Sequence, residues 1–446
     1  MSFVIYFQSI IASIFDALLI QRKIKHEKKV YLSTLFIFCM VLVYSIIPFF
    51  TFLYYDRYNF SISTSFATFD YSERGILNVS LWMLLGNISI LIIYLLTKKR
   101  NHNKQERSVY YNDKSLIGKT TIVCLLIGGI SLALWSNAYG GIFSLILQAS
   151  MVRSGLSDVN NHFAFFKHSA RILLISSFAS LVLIKYKYKR SLYFPVFLIS
   201  TFLSILFLLA NDGRMTSMFF FITLFFISIK MYDKSISFKL ILSYTLLGFF
   251  AIWFLYNYDT VLFFLLGKTG DSISSNNLIE RILQEFSFTI ISGQKTIEYV
   301  FSNQYNSLFF NDFGSGLFAW LPVSLKPIVV QSVWDCNTQL VTSNFYGQWP
   351  CDFVTTALYD FHILGPLLFS LFYSWLFKVI ETKFSISSAF QAVLYYSLIY
   401  TAIRVPLYCG LYDLVLGFFA LFIFIALFSL MKKFSKSYRI ANQIVA

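Results

Sequence analysis

Eleven long apolar stretches recur along the chain, and no other feature of the sequence restricts its fold as much. They cover residues 3–20, 31–53, 77–96, 116–135, 168–184, 192–210, 215–229, 240–258, 353–377, 386–403 and 411–431. A helix that crosses a bilayer needs about 20 mostly apolar residues. Charged residues make up only 13% of the chain, about half the share found in soluble domains. We therefore expect an all-α polytopic membrane protein with about eleven (ten to twelve) transmembrane helices.

Positive charge is distributed unevenly between the two alternating sets of loops. One set holds 25 of the 36 lysines and arginines and the other set holds 11. Cytoplasmic loops of membrane proteins carry the excess of basic residues, so the N-terminus is predicted outside and the C-terminus inside. The same asymmetry accounts for most of the formal net charge of +15. No nucleic-acid partner is therefore expected.

One outer segment is long enough to divide the chain into three parts. Residues 259–352 are predicted to form a large outer loop between an N-terminal bundle of about eight spans (1–258) and a C-terminal bundle of about three spans with a short basic tail (353–446). The loop contains apolar runs too short to cross a bilayer, at 261–266, 286–291 and 317–334. Such runs favour interfacial or re-entrant helices.

Two of the five cysteines, Cys336 and Cys351, share this outer segment. An oxidising compartment would allow a disulfide between them. The alternative is two unpaired thiols that behave as small apolar side chains, and the sequence leaves both open.

The basic residues predicted outside are mostly arginines: 7 of 11, against 5 of 25 inside. The guanidinium group binds phosphate or a planar anion through two parallel hydrogen bonds, which an ammonium cannot do. The alternative is that these arginines only pair with outer acidic residues. Arg214 follows Gly213, which permits a tight reversal between two spans. The candidate anion-binding residues are Arg214 and Arg404, followed by Arg74, Arg171 and Arg281.

Ionisable groups near or within spans are further candidates, because charge at membrane depth is costly and often functional. Asp360 and His362 lie near the predicted outer end of the ninth stretch, where a carboxylate or an imidazole could remove a proton from a hydroxyl. They are two positions apart, so at most one is expected to point into a site. Asp16, inside the first stretch, is expected to pair within the bundle or to extend toward the interface.

Sequence motifs of common catalytic sites are missing. There is no Walker-type phosphate loop, no zinc-binding HExxH and no GxSxG nucleophile motif. The five histidines are scattered, so neither a metal nor a cofactor is expected.

Short motifs lie at three junctions between loops and spans. They are Tyr139-Gly140-Gly141, Gly213-Arg214 with Ser217, and Gly347-Gln348-Trp349-Pro350 followed by Ala357-Leu358-Tyr359 and Gly365. With the number of spans and the large outer loop before the last three, they resemble the bacterial oligosaccharide repeat-unit (O-antigen) polymerases of the Wzy type.

The resemblance implies an architecture like that of GT-C-type membrane glycosyltransferases. It implies polymerisation of undecaprenyl-pyrophosphate-linked oligosaccharide repeat units into O-antigen or capsule-type polysaccharide, at the outer face of the bacterial cytoplasmic (inner) membrane. The implied partners are the lipid-linked oligosaccharide, the bilayer, a chain-length regulator and a flippase of the same pathway.

The resemblance also suggests roles for the candidate residues. The arginines would stabilise the negative charge that a pyrophosphate leaving group gathers, and Asp360 or His362 would accept the proton of the acceptor hydroxyl. Two alternatives remain: an O-antigen ligase, and a lipid-linked oligosaccharide flippase. A flippase should show internal repeats, and none is visible.

Overall fold

The computed structural model describes residues 2–27, 32–63, 67–97, 113–153, 163, 166–211, 213–230, 278–318, 331–342, 349–383 and 388–445, and most of these residues are helical. Up to residue 230 the helices are α1 (Ser2–Glu27), α2 (Leu32–Val41), α3 (Ile47–Tyr58), α4 (Glu73–Thr97), α5 (Lys114–Asn137), α6 (Ile142–Leu147), α7 (Ala149–Arg153), α8 (Phe166–Ala170), α9 (Ile172–Lys185), α10 (Arg190–Asn211) and α11 (Arg214–Lys230). From residue 278 they are α12 (Leu278–Val300), α13 (Phe309–Leu317), α14 (Val333–Thr342), α15 (Phe353–Phe361), α16 (Gly365–Lys383), α17 (Ala389–Arg404) and α18 (Leu411–Val445). A π-helical turn (Leu42–Ile46) joins α2 to α3, and a 3-10 turn (His362–Leu364) joins α15 to α16.

Eight helical segments are long and apolar enough to cross a membrane. They are Phe3–Lys23, Leu32–Tyr58, Glu73–Thr97, Lys114–Asn137, Phe166–Lys185, Arg190–Asn211, Phe353–Thr382 and Gly417–Ser435. Each overlaps one of the predicted stretches, which confirms the class of an all-helical, multi-pass membrane protein.

Three predicted stretches have other outcomes. Stretch 215–229 forms a shorter apolar helix, Met215–Ser228, and stretch 386–403 forms α17, which has 16 residues. Stretch 240–258 lies outside the described residues. The total of eleven spans therefore stays a prediction.

Contacts between helix ends join the first span to the third and the second span to α16. The Nζ of Lys23, near the end of α1, donates to Thr97 Oγ1 at 2.6 Å, at the end of α4. The backbone N–H of Ser33, at the start of α2, donates to Glu381 Oε1 at 2.8 Å, near the end of α16. These residues share the end of the bundle that the sequence predicts to face the cytoplasm.

Residues 353–383 form a helical hairpin rather than one continuous helix. The Phe353 ring lies 5.7 Å from that of Phe369 and 5.5 Å from that of Tyr373, so α15 runs back along α16. His362, in the turn, has a φ of +57°. The predicted stretch 353–377 therefore lies in a segment apolar and long enough to span a membrane, but it contains a reversal of the chain. Hydropathy stays high through this reversal and does not register it.

The hairpin brings the start of α15 close to the middle of the second span, where Asp352 is completely buried. Asp352 Oδ1 accepts hydrogen bonds from Tyr44 Oη at 2.6 Å and from Trp82 Nε1 at 3.2 Å. It also accepts from the backbone N–H groups of Val354 at 3.0 Å and Thr355 at 3.1 Å. The first N–H groups of a helix have no acceptor within the helix itself. Here one buried carboxylate provides that acceptor inside the bundle.

The described part of the large loop packs onto the bundle. Helix α12 contacts α3, α4, α14 and α15. Its Gln294 side chain donates to the Asp70 carbonyl at 2.8 Å and accepts from the Asp70 N–H at 2.9 Å. The apolar run predicted at 286–291 lies inside this 23-residue helix. The limits of the three predicted parts of the chain stay a prediction.

Substitution of Gly365 by alanine should destabilise the hairpin. A Cβ at Gly365 would lie 1.7 Å from the carbonyl oxygen of Ala357, which belongs to the facing helix. Separating the helices should cost about 2 kcal/mol. The control is Gly129→Ala in α5, where the nearest atom would be 3.9 Å away. Thermal unfolding in detergent should show a large loss for the first variant alone, and equal midpoints would contradict this packing.

Candidate functional site

Two of the predicted arginines, Arg171 and Arg404, line the same cavity although they are far apart in the sequence. The cavity lies between α9, α17 and α18, at the end of the bundle predicted to face outward. Its volume is about 40 Å³, which accommodates a few water molecules. Arg171 is 7% exposed and Arg404 is 6% exposed.

The lining of this cavity is apolar apart from a few groups. The polar and charged lining residues are Arg171, Ser397, Tyr400, Thr401, Arg404 and Tyr408. Among the described lining residues, both charged side chains are arginines. An arginine stays protonated in proteins, so the cavity combines two fixed positive charges with surroundings of low polarity. This combination favours binding of an anion.

Two tyrosines flank the guanidinium of Arg404. Its Cζ lies 5.5 Å from the ring centroid of Tyr400 and 5.8 Å from that of Tyr408, within cation–π range. Tyr400 is one helical turn before Arg404. Tyr408, four residues after Arg404, stays close to it because the Tyr408 N–H donates to the Arg404 carbonyl at 2.8 Å. Sequence reasoning missed both tyrosines. The helical spacing of Ser397, Tyr400 and Arg404 is the signal that would have found them.

The backbone of Arg214 lies level with Arg171. Gly213 has a φ of +90°, which confirms the predicted tight reversal before α11. Further along, the Nζ of Lys185 in α9 donates to the Ser228 carbonyl of α11 at 3.2 Å. Arg171 precedes Lys185, and Arg214 precedes Ser228, by the same number of positions, which corresponds to about 21 Å of helix. The two arginines therefore lie at the same level of the bundle. The side chain of Arg214 lies outside what the structure describes.

Arg74 is not brought to the cavity. Arg74, at the start of α4, has a side chain that is 72% exposed, with its Nη2 3.9 Å from Glu298 Oε1. The Arg281 side chain, in α12, is outside the described part of the molecule. The described cluster therefore consists of Arg171 and Arg404.

Asp360 is completely buried near the end of α15. Neither of its carboxyl oxygens has a hydrogen-bond partner among the described residues. It is close enough to the buried carboxyl of Asp312 for the two to interact electrostatically. Asp360 does not line the arginine cavity, so the structure does not join it to the anion-binding candidates.

His362 lies in the turn of the hairpin, also away from the arginine cavity. Its Nε2 is 3.0 Å from the carbonyl oxygen of Val300. Since a carbonyl only accepts, Nε2 carries the hydrogen in this contact. The backbone N–H of His362 donates to Tyr305 Oη at 2.8 Å. These contacts fix the ring, and a catalytic role for it stays a prediction.

Asp312 has a structural role that sequence reasoning missed. Its Oδ1 accepts from the N–H of Val333 at 3.2 Å, and its Oδ2 accepts from the N–H of Leu411 at 2.8 Å. A single buried carboxyl thus connects the starts of α14 and α18. In sequence it is one acidic residue among many predicted outside, and no local motif marks it.

Cys336 and Cys351 are both free thiols in the structure, so the disulfide alternative is not formed. Cys351 is completely buried, and its Sγ donates to the carbonyl of Val333 at 3.8 Å. Cys336 is partly exposed. Burial raises the pKa of the Cys336 thiol to about 12, helped by the nearby acidic groups of Asp335 and Asp312.

Alkylation of Cys336 should be slow at neutral pH and should accelerate steadily with pH. Because the thiolate is the reactive species, a pKa of about 12 predicts a roughly tenfold faster reaction per pH unit between pH 7 and 10. Peptide mass spectrometry after iodoacetamide treatment measures the rate. In the unfolded chain the rate should level off above about pH 9, as for an ordinary thiol. The same plateau in the folded protein would contradict the burial.

Comparison of the sequence with protein-family models, with curated proteins and with solved structures finds no match. The resemblance to O-antigen polymerases therefore depends on the motifs and the layout of the chain, and the arginine cavity is the structural feature from which a function can be inferred.

Proposed function

We propose that this protein joins oligosaccharide repeat units carried on undecaprenyl pyrophosphate into O-antigen or capsule-type polysaccharide. The reaction would take place at the outer face of the bacterial cytoplasmic membrane, in an architecture like that of GT-C-type glycosyltransferases. The observation that supports this most directly is the meeting of Arg171 and Arg404 in one buried cavity.

The chemistry of the reaction explains why such a cavity would be useful. When the glycan leaves its lipid carrier, negative charge develops on the departing pyrophosphate. Fixed guanidinium groups stabilise this charge without having to reorganise, and each can bind phosphate oxygens through two parallel hydrogen bonds. Apolar surroundings strengthen the interaction. The cation–π contacts of Arg404 help to hold its guanidinium in position.

The acceptor sugar needs a group that removes a proton from its hydroxyl. Asp360 and His362 remain the candidates, and both lie outside the described cavity. A chain-length regulator and a flippase of the same pathway are the expected partners, and no cofactor is required by the proposal.

Two other functions would use a lipid-linked glycan. An O-antigen ligase has the same kind of donor but a lipid acceptor. A flippase moves the lipid-linked glycan without chemistry and should have short loops and internal repeats. The helices α12, α13 and α14, which pack onto the bundle between residues 278 and 342, favour an enzyme over a flippase.

Deletion of the gene followed by gel analysis of the surface glycans tests the proposal. Loss of the polysaccharide ladder with retention of single capped repeats would support a polymerase. Loss of every capped species would contradict the proposal and indicate a ligase or a flippase. An unchanged ladder would rule out all three functions.

A further inference from the structure

The first span has its polar side chains buried and its large apolar side chains exposed. The buried polar residues are Ser9, Asp16 and Lys23, which are seven positions apart and so share one face of α1. The exposed large apolar residues are Phe3, Val4, Phe7, Ile10, Ile11, Ile14, Phe15 and Leu18. This is the arrangement expected where lipid covers one face and the other face presents functional groups to the bundle.

At the middle of this face three polar groups from three spans meet. Asp16 Oδ2 lies 3.1 Å from Ser45 Oγ, and Ser45 Oγ lies 2.9 Å from Asn87 Oδ1. Ser45 belongs to the π-helical turn Leu42–Ile46. Pro48 follows this turn and removes a backbone donor from the helix, which explains the irregularity there. Single π-turns inside helices occur frequently at functional sites.

The hydrogens of this group can be placed in two ways. Ser45 has one hydroxyl hydrogen but faces two acceptor atoms. In the first arrangement protonated Asp16 donates to Ser45, which donates to Asn87 Oδ1. In the second, ionised Asp16 accepts from Ser45, and the Asn87 amide is rotated so that its nitrogen donates to Ser45; oxygen and nitrogen of an amide occupy equivalent positions. The two arrangements differ in their hydrogens and in the exchange of the Asn87 amide oxygen and nitrogen, and the other heavy atoms stay in place.

We propose that Asp16, Ser45 and Asn87 form a proton-binding site inside the membrane, separate from the arginine cavity. Asp16 takes up one proton on its carboxylate or releases it, and a rotation of the Asn87 amide keeps the three groups hydrogen-bonded in both states. A hard metal cation such as Ca²⁺ or Mg²⁺ takes about six oxygen ligands, whereas three side-chain oxygens meet here. The proton is therefore the favoured ligand.

The other ionisable groups on α1 and the helices around it do not belong to the Asp16 site, because they bond to other residues or lie elsewhere along the helices. Lys23 donates to Thr97 and lies two helical turns from Asp16, about 10 Å along the axis. Tyr6 donates to Asp56 at 2.7 Å, near the opposite end of α1. In the second and third spans the buried tyrosines are Tyr44, which donates to Asp352, and Tyr94.

Labelling with N,N′-dicyclohexylcarbodiimide tests the proposal on the full-length protein in detergent. This reagent adds to carboxyls that carry a proton in apolar surroundings, and peptide mass spectrometry locates the adduct. We expect an adduct on Asp16 that is formed in acidic buffer and lost as the pH rises. Asp16→Asn should remove it. Absence of the adduct at every pH, or an adduct that does not change with pH, would overturn the proposal.

Two further measurements separate this site from simpler explanations. Ser45→Ala should move the half-labelling pH upward by about one unit, because the ionised carboxylate loses a donor. Ser89→Ala is the matched control: Ser89 is buried in α4 and donates to the Leu85 carbonyl at 2.9 Å, and its loss should leave the half-labelling pH unchanged. Protection of Asp16 by sodium chloride, but not by choline chloride, would indicate a metal-cation site and also overturn the proposal.

Discussion

Replacement of Arg404 by alanine should abolish growth of the polysaccharide while the protein stays in the membrane at its normal level. The variant loses one of the two described guanidinium groups of the cavity and its contacts with Tyr400 and Tyr408. Loss of one fixed donor to a developing charge typically lowers a rate by about 10²- to 10³-fold. Glycan gels of a deletion strain that carries the variant gene measure chain growth, and immunoblots measure the protein.

Arg171→Ala should give the same result, because both arginines line one cavity. The lysine variants at both positions should also fail, since an ammonium cannot form two parallel hydrogen bonds to a phosphate. Arg190→Ala is the control: Arg190 is an exposed arginine at the start of α10, at the other end of the bundle. Normal ladders from both Arg404→Ala and Arg171→Ala would rule out the cavity as the pyrophosphate site.

Replacement of Asp352 by alanine should destabilise the fold more than loss of an ordinary helix cap. Tyr44, Trp82 and the N–H of Thr355 would lose an acceptor inside the bundle, and the N–H of Val354 would keep only Tyr44 Oη at 3.0 Å. Leaving several buried donors unsatisfied should cost on the order of 3 kcal/mol or more. Unfolding of the purified protein in a denaturing detergent series measures this loss.

Ser388→Ala provides a matched comparison for Asp352→Ala. Ser388 also caps a helix, α17, but its side chain accepts from one backbone group, the N–H of Gln391 at 3.1 Å. Its replacement should cost about 1 kcal/mol. Equal losses from the two variants would show that the bonds from Tyr44 and Trp82 contribute nothing to stability.

The sequence was sufficient to predict the class of fold because apolar length determines whether a helix can span a membrane. It was not sufficient for the hairpin. Near the reversal the apolar run contains Asp360, His362 and Pro366. Their effect on direction depends on the φ of His362 and on the close contact between Gly365 and Ala357. Neither of these is visible in hydropathy.

The candidate site was predictable residue by residue but not as an arrangement. Arg171 and Arg404 could be chosen because each lies at the end of a predicted span on the outer side. Their meeting depends on how α9, α17 and α18 pack, which no local pattern encodes. For the same reason Arg74, chosen on identical grounds, lies on the surface, and Asp360 is buried away from the cavity.

The cap on α15 also implies an order in which the parts of this protein assemble. Tyr44 and Trp82 belong to the second and third spans, so they are synthesised long before Asp352. The bonds from the N–H groups of Val354 and Thr355 are local and can form as soon as this segment leaves the ribosome. A newly made α15 can therefore satisfy its own first turn and then dock on a receiving site already in the membrane. In an isolated C-terminal fragment of the chain, that receiving site would be missing.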